Sequence, residues 1–132
     1  MGQVYEIAQE ADEQIALFRW ARYEEAAWPE LRLLHHVANE GKRSRATGAR
    51  MVAEGLRRGV PDVCLPVPRG GYHGLYIEMK RVKGGRLSEE QAAWISMLRD
   101  QGYAAEVCRG WVEASETIKS YLEGKYGQQK DA

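Results

Sequence analysis

The sequence predicts an α/β fold, a mixed central β-sheet with helices on both sides, assembled in the order αβαββαβα. Three observations carry that expectation. From Val4 onward the chain repeats apolar residues at helical spacing, with no Gly or Pro until Pro29. Two short apolar runs, Val60–Val67 and Leu75–Met79, flank Pro68, Arg69, Gly70, Gly71, Tyr72 and His73, a composition that suits a turn between antiparallel strands. A serine at position 88, followed three residues later by Gln91, opens a helical pattern that stops at Gly102 and gives way to a strand-like run. The 132 residues suffice for one hydrophobic core. A single domain over residues 1–123 is expected, with 124–132 a disordered tail.

In chain order, the first helix is expected over Val4–Ala27. Ile7, Ala11, Ile15, Phe18 and Arg22 give way along it to a second apolar set of Leu17, Trp20 and Ala21. Leu31–Val37 reads as the first strand, ending in the turn-forming Asn39, Glu40 and Gly41 and running beside the strand that begins near Asp62. A basic segment then leads into a helix over Ser44–Arg57, closed by Gly59. After the hairpin come a helix over Glu89–Gln101, a last strand over Tyr103–Cys108 and a closing helix over Val112–Leu122, with Ala114, Ile118 and Leu122 on one face.

The formal net charge is zero, yet charge is segregated along the chain. Residues 1–30 carry the acids Glu6, Glu10, Asp12, Glu13, Glu24, Glu25 and Glu30 against Arg19 and Arg22. Residues 42–58 carry Lys42, Arg43, Arg45, Arg50, Arg57 and Arg58 against Glu54, and Lys80, Arg81, Lys83 and Arg86 form another basic group. Such segments suit a phosphate backbone, with Lys42, Arg43, Arg45, Arg50, Lys83 and Arg86 as candidate DNA contacts. The two cysteines, Cys64 and Cys108, lie in apolar runs without CxxC spacing and read as buried free thiols. No apolar run is long enough to span a membrane and no signal peptide is evident, so a soluble, cytoplasmic protein is expected.

The chemistry is concentrated in Gly59–Arg81. Alternation along the second hairpin strand puts Glu78 and Lys80 on one face and Ile77 and Met79 on the other. Antiparallel pairing can bring Asp62 across from Glu78. Two carboxylates beside an amine suit a hard divalent cation such as Mg²⁺ or Mn²⁺, which takes oxygen ligands at roughly 2.0–2.1 Å and is held by one or two carboxylates plus water and substrate phosphate. Asp62, Glu78 and the backbone carbonyl of Met79 are the candidate ligands. Lys80 would orient an attacking water or offset charge on the phosphate. His35 and His36 read as positioning residues, since the oxygen ligands are already supplied.

Pro61-Asp62 and Glu78-Met79-Lys80 resemble the two halves of the PD-(D/E)xK signature of restriction-endonuclease-like proteins. Gly59-Val60-Pro61-Asp62, Gly74-Leu75-Tyr76-Ile77-Glu78-Met79-Lys80, Ser88, Gln91 and Gly102-Tyr103 narrow the likeness to the VRR-NUC domain, in a compact standalone version covering nearly the whole chain. The resemblance implies a restriction-endonuclease-like core and a metal-dependent, structure-directed DNA endonuclease. Its relatives would be the domain at the end of the Fanconi-associated nuclease and small phage and bacterial proteins acting on branched DNA. It also implies an acid on the first helix in an ExxxQ context, which Glu10 and Gln14 fit and for which Glu13 competes, and a site-facing glutamine after the ExK strand, which Gln91 matches alongside its capping role. A homodimer acting on four-way (Holliday) junctions is the assembly it suggests, with Phe18, Trp20 and Trp28 of the first helix region as contacts. The alternatives are a DNA-binding module that has lost the chemistry, and a restriction-type enzyme, for which 132 residues leave little room to read bases.

Overall fold

The computed structural model describes residues 2–38 and 45–128, with the backbone alone for 2–8 and 45. It is an α/β fold whose four-stranded sheet has the order β1-β2-β3-β4, with strands β1 (His35–His36), β2 (Val63–Leu65), β3 (Leu75–Lys80) and β4 (Ala104–Arg109). β1 pairs with β2 and β2 with β3 antiparallel, whereas β3 and β4 run parallel, joined through helix α3 (Glu89–Asp100). The sheet is therefore mixed, as the sequence predicts. α1 (Gly2–Glu24) and α4 (Trp111–Leu122) cover one face and α3 the other.

Alternation on β3 builds both layers. Leu75, Ile77 and Met79 enter the larger core with Leu17, Ala21, Ala114, Ile118 and Tyr121, while Tyr76 faces Ile95, Leu98 and Ala105 under α3. Both faces of this strand are thus covered. The hairpin turn is tied down by Arg69, which pairs with Glu30 and donates through Nε to the Leu122 carbonyl (3.2 Å).

Several boundaries depart from the sequence reading. Leu31–Val37 is not one strand: Pro29–Leu33 forms a 3₁₀ helix and only His35–His36 pairs in the sheet. Pro29 at its first turn has its φ fixed at a helical value, and Leu31 and Leu34, three apart, are the two residues this segment buries. The second helix, α2, spans Arg45–Ala53 and ends at Gly55 rather than Gly59, with the Leu56 N–H returning to the Met51 carbonyl (2.9 Å). Ile15, placed on an apolar face by periodicity, is exposed, and among the described side chains of α1 the buried ones are Leu17 and Ala21. Phe18, Trp20 and Trp28 pack against this chain's own core, so their apolar surface is already largely covered.

Residues 124–128, assigned by sequence to the disordered tail, instead fold back on the core. Tyr126 packs edge-on against Tyr72 (ring centroids 5.2 Å apart), and its hydroxyl donates to Glu106. Cys64 and Cys108 are buried free thiols, as expected. Among the described residues no helix is long and apolar enough to cross a membrane.

The fully buried Tyr121 hydroxyl donates to the Val67 carbonyl (2.5 Å), joining α4 to the far end of the β2 segment. Tyr121→Phe keeps the ring but removes that donor, so chemical denaturation is expected to show a loss of about 1–3 kcal/mol, the desolvation cost of a buried polar group left without its partner.

Candidate active site

The site forms where the segment leading into β2 meets the C-terminal half of β3. Gly59, with φ at +93°, is pressed against the first turn of α3; a Cβ there would lie 2.6 Å from the Glu90 carbonyl oxygen. Only glycine permits that approach, and it sets the path through buried Pro61 to Asp62. Asp62 is then fixed at both backbone and side chain. Its carbonyl accepts from the Val37 N–H (2.7 Å) and from Nδ1 of His36 (2.8 Å), and its Oδ2 accepts from the Met79 N–H (2.8 Å). His36 thereby acts on the position of Asp62, while the His35 ring bonds to the nearby Leu33 carbonyl.

Val63 pairs with Ile77, so the next step outward sets Asp62 opposite Glu78. Glu78 is 3% and Lys80 7% exposed, and Nζ of Lys80 lies 3.7 Å from Oε2 of Glu78. Gln91 completes the arrangement from α3. Its Nε2 donates to Glu78 Oε2 (3.0 Å), its Oε1 accepts from the Ser88 N–H (2.9 Å), and its own N–H donates to Ser88 Oγ (3.1 Å). The capping and site-facing readings of Gln91 are therefore both present in one side chain.

Electrostatics at Glu78 is severe. Burial pushes its carboxyl up to about 9, reinforced by the charge and the hydrogen bond of Asp62 and by the charge of Glu10, with Lys80 opposing. Glu78 Oε1 is buried and no hydrogen-bond donor reaches it among the described residues. Lys80 offsets only part of what burial and the neighbouring acids do to this carboxyl. The chemistry of the pair fits a hard divalent ion: carboxylate oxygens are hard ligands, and one of them lacks a hydrogen-bond donor among the described residues. Among the described residues no three His, Cys, Asp or Glu side chains draw together as a full ligand set. Asp62 and Glu78 form the pair, with Glu10 in electrostatic range of Glu78. Met79, between Glu78 and Lys80 on β3, keeps its side chain in the core.

The two acids of α1 are separated by their neighbours. Glu10 reaches the β3–α3 loop, where a Cβ on Gly85 would lie 3.5 Å from its Oε1. Glu13 turns to the start of α4, where its Oε1 accepts a long bond from the Trp111 N–H (3.5 Å). Of the candidate DNA contacts, Lys83 and Arg86 are exposed on the loop after Lys80. Arg50 is exposed on α2 and paired with Glu54 (3.6 Å); Arg45 begins that helix, and Lys42 and Arg43 lie outside the described residues. Sequence reasoning missed Arg109, which ends β4 opposite Lys80 and donates to the carbonyls of Arg81 (3.4 Å), Gly84 and Gly85 (3.1 Å). Its signal is non-local, because it requires the β3–β4 register.

Comparison with known proteins identifies the family. The family model described as the VRR-NUC domain matches residues 7–111. A solved structure of a VRR-NUC domain protein superposes with a TM-score of 0.76 at 26% identity, over 89% of this chain and 91% of that one. No curated protein is similar enough in sequence to count as a relative. The matched span contains Asp62, Glu78, Lys80, Gln91 and Glu10 together with the elements that hold them, and the chain belongs to the VRR-NUC domain family, whose function is of nuclease type.

Proposed function

We propose that the protein is a divalent-metal-dependent endonuclease that hydrolyses phosphodiester bonds of DNA, with a preference for branched substrates such as four-way junctions. The observation that carries this reading is the buried Glu78, set beside the half-buried Asp62, with one carboxyl oxygen that no donor reaches among the described residues and Lys80 next to it. Asp62, Glu78 and the Met79 carbonyl would hold Mg²⁺ or Mn²⁺, with Glu10 supplying further negative charge from α1. When bound, the ion neutralises phosphate charge and lowers the pKa of its water, which is the chemistry this hydrolysis requires. Lys80, buried and donor-only, orients the attacking water or offsets charge that develops on the phosphate. Gln91 keeps Glu78 aimed by holding one of its oxygens. Lys83 and Arg86, with Lys42, Arg43, Arg45 and Arg50, supply the contacts to the DNA backbone.

The preference for branched DNA rests on size. One subunit offers one site and a modest basic surface, whereas a twofold dimer would set two sites at a fixed spacing and read a symmetric junction by shape. The apolar side chains available to such a contact are the exposed Ile15, Tyr23 and Leu33, on α1 and the 3₁₀ helix packed beside it.

Asp62→Asn, Glu78→Gln and Lys80→Ala are each expected to lower single-turnover cleavage of a labelled junction by about 10²–10³-fold while the circular dichroism spectrum and most of the DNA affinity persist; wild-type rates from any of the three would remove that residue from the site. A second expectation follows from Glu78. Its carboxyl rises from 4.5 to about 9 on folding, so the folded state holds the extra proton and the metal-free protein loses stability as pH rises through that window. Binding of Mg²⁺ near neutral pH should therefore release roughly one proton and raise the melting temperature more at alkaline than at acid pH. Calorimetry in buffers of different ionisation heat reads the proton, and Glu78→Gln should abolish it. Thirdly, light scattering at micromolar concentration should give twice the 15.0 kDa subunit mass, with junctions nicked in pairs and faster than linear duplex; a monomer with equal rates on both would reject the dimer.

A further inference from the structure

The loop between β3 and α3 joins two parts of the site. It leaves the sheet at Lys80 and enters α3 at Ser88, whose partner Gln91 holds Glu78. It carries Lys83 and Arg86 in between, and Gly85 lies against Glu10. Little apolar burial fixes it, for Val82, Lys83, Gly84, Arg86 and Leu87 are all exposed. Gly84 and Gly85 both take left-handed conformations, with φ at +76° and +70°. A Cβ on Gly84 would fall 2.3 Å from the Arg81 guanidinium. Such a segment has much conformational freedom to lose.

Arg109 is placed to remove it. Gly110 N–H bonds to the Lys80 carbonyl (2.9 Å), so the end of β4 is anchored where the loop departs. From there the Arg109 side chain reaches over the loop, Nη1 donating to Arg81 and Gly84 carbonyls and Nη2 to the Gly85 carbonyl. A planar fork of charged donors can meet several carbonyls at once, which a single ammonium on a flexible stem does poorly. The side chain is exposed at the last residue of its strand, so the hydrophobic core does not depend on it.

We propose that Arg109 is a positioning residue of the nuclease site: its guanidinium clasps residues 81–85 into one conformation, which fixes Lys83 and Arg86 relative to Lys80 and holds the path that leads into Gln91. This rests on the nuclease reading above for its catalytic consequence, but the clasp itself does not. NMR relaxation of the free protein and steady-state cleavage of a junction in Mg²⁺ test the two parts separately, in the wild type, Arg109→Ala and Arg109→Lys. In both variants the backbone order parameters over 82–87 should drop from about 0.85 to below about 0.6 with the melting temperature unchanged. Their kcat should fall by about tenfold with KM moving less than about twofold, as expected when reacting groups are misplaced rather than binding lost. Wild-type order over 82–87 overturns the clasp, as does a loss of order across the whole sheet with a lowered melting temperature, which marks a merely structural residue. Wild-type kcat in Arg109→Lys, with only KM and its salt dependence altered in Arg109→Ala, overturns positioning in favour of a phosphate contact. A wild-type protein that cuts no DNA in either Mg²⁺ or Mn²⁺ refutes the nuclease reading and leaves the relaxation data to decide the clasp.

Discussion

The burial of Glu78 beside Asp62 is the constraint around which the rest of this molecule is arranged. A carboxylate only 3% exposed, facing another carboxylate, would be intolerable in an ordinary core. Nearly every element contributes something to holding it. β1 and the residue after it fix the Asp62 carbonyl through His36 and Val37, β3 supplies the Met79 amide and the Lys80 ammonium, and α3 sends in Gln91. α1 adds the charge of Glu10, which raises the strain rather than relieving it. A buried carboxyl gathered with other acids and pushed far above its ordinary range is the opposite of what stability alone would select.

The core explains how the fold tolerates this. β3 presents Leu75, Ile77 and Met79 to the α1–α4 layer, and Tyr76 to the α3 layer, before it delivers Glu78 and Lys80 at its end. The apolar half of the strand thus secures the polar half. The parallel partner β4 matches it residue for residue from Leu75–Ala104 to Lys80–Arg109, so the strand carrying the charged groups is paired along its whole length.

Much of the site was legible because its information is local. The period of two on Leu75–Lys80 and the glycine-rich turn before it set Glu78 and Lys80 on one face and brought Asp62 opposite, and the Ser88–Gln91 spacing marked the start of α3. What was not legible depended on distant neighbours. Glu10 and Glu13 are one helical turn apart, and they are told apart by their distant neighbours, Gly85 and Glu78 for one and Gly110 and Trp111 for the other. Arg109 needed the β3–β4 register across an intervening helix. The 3₁₀ turn hid inside an apolar run, since Leu31 and Leu34 are as compatible with a strand by composition as with a three-residue repeat. Tyr126 belongs to no periodic pattern, and its place on the core follows from the shapes of Tyr72 and Tyr121.

Gln91 ties two kinds of behaviour together. The same amide group closes the capping box of α3 and restrains one oxygen of Glu78. Helix ends open more readily than helix interiors, with local free energies far below that of global unfolding. Each time the first turn of α3 frays, Glu78 loses its tether. The fraction of molecules in which that carboxylate is correctly aimed is then set by the fraying equilibrium of a single exposed helix terminus, and temperature or solvent conditions that loosen helix ends will reach the site long before they reach the core.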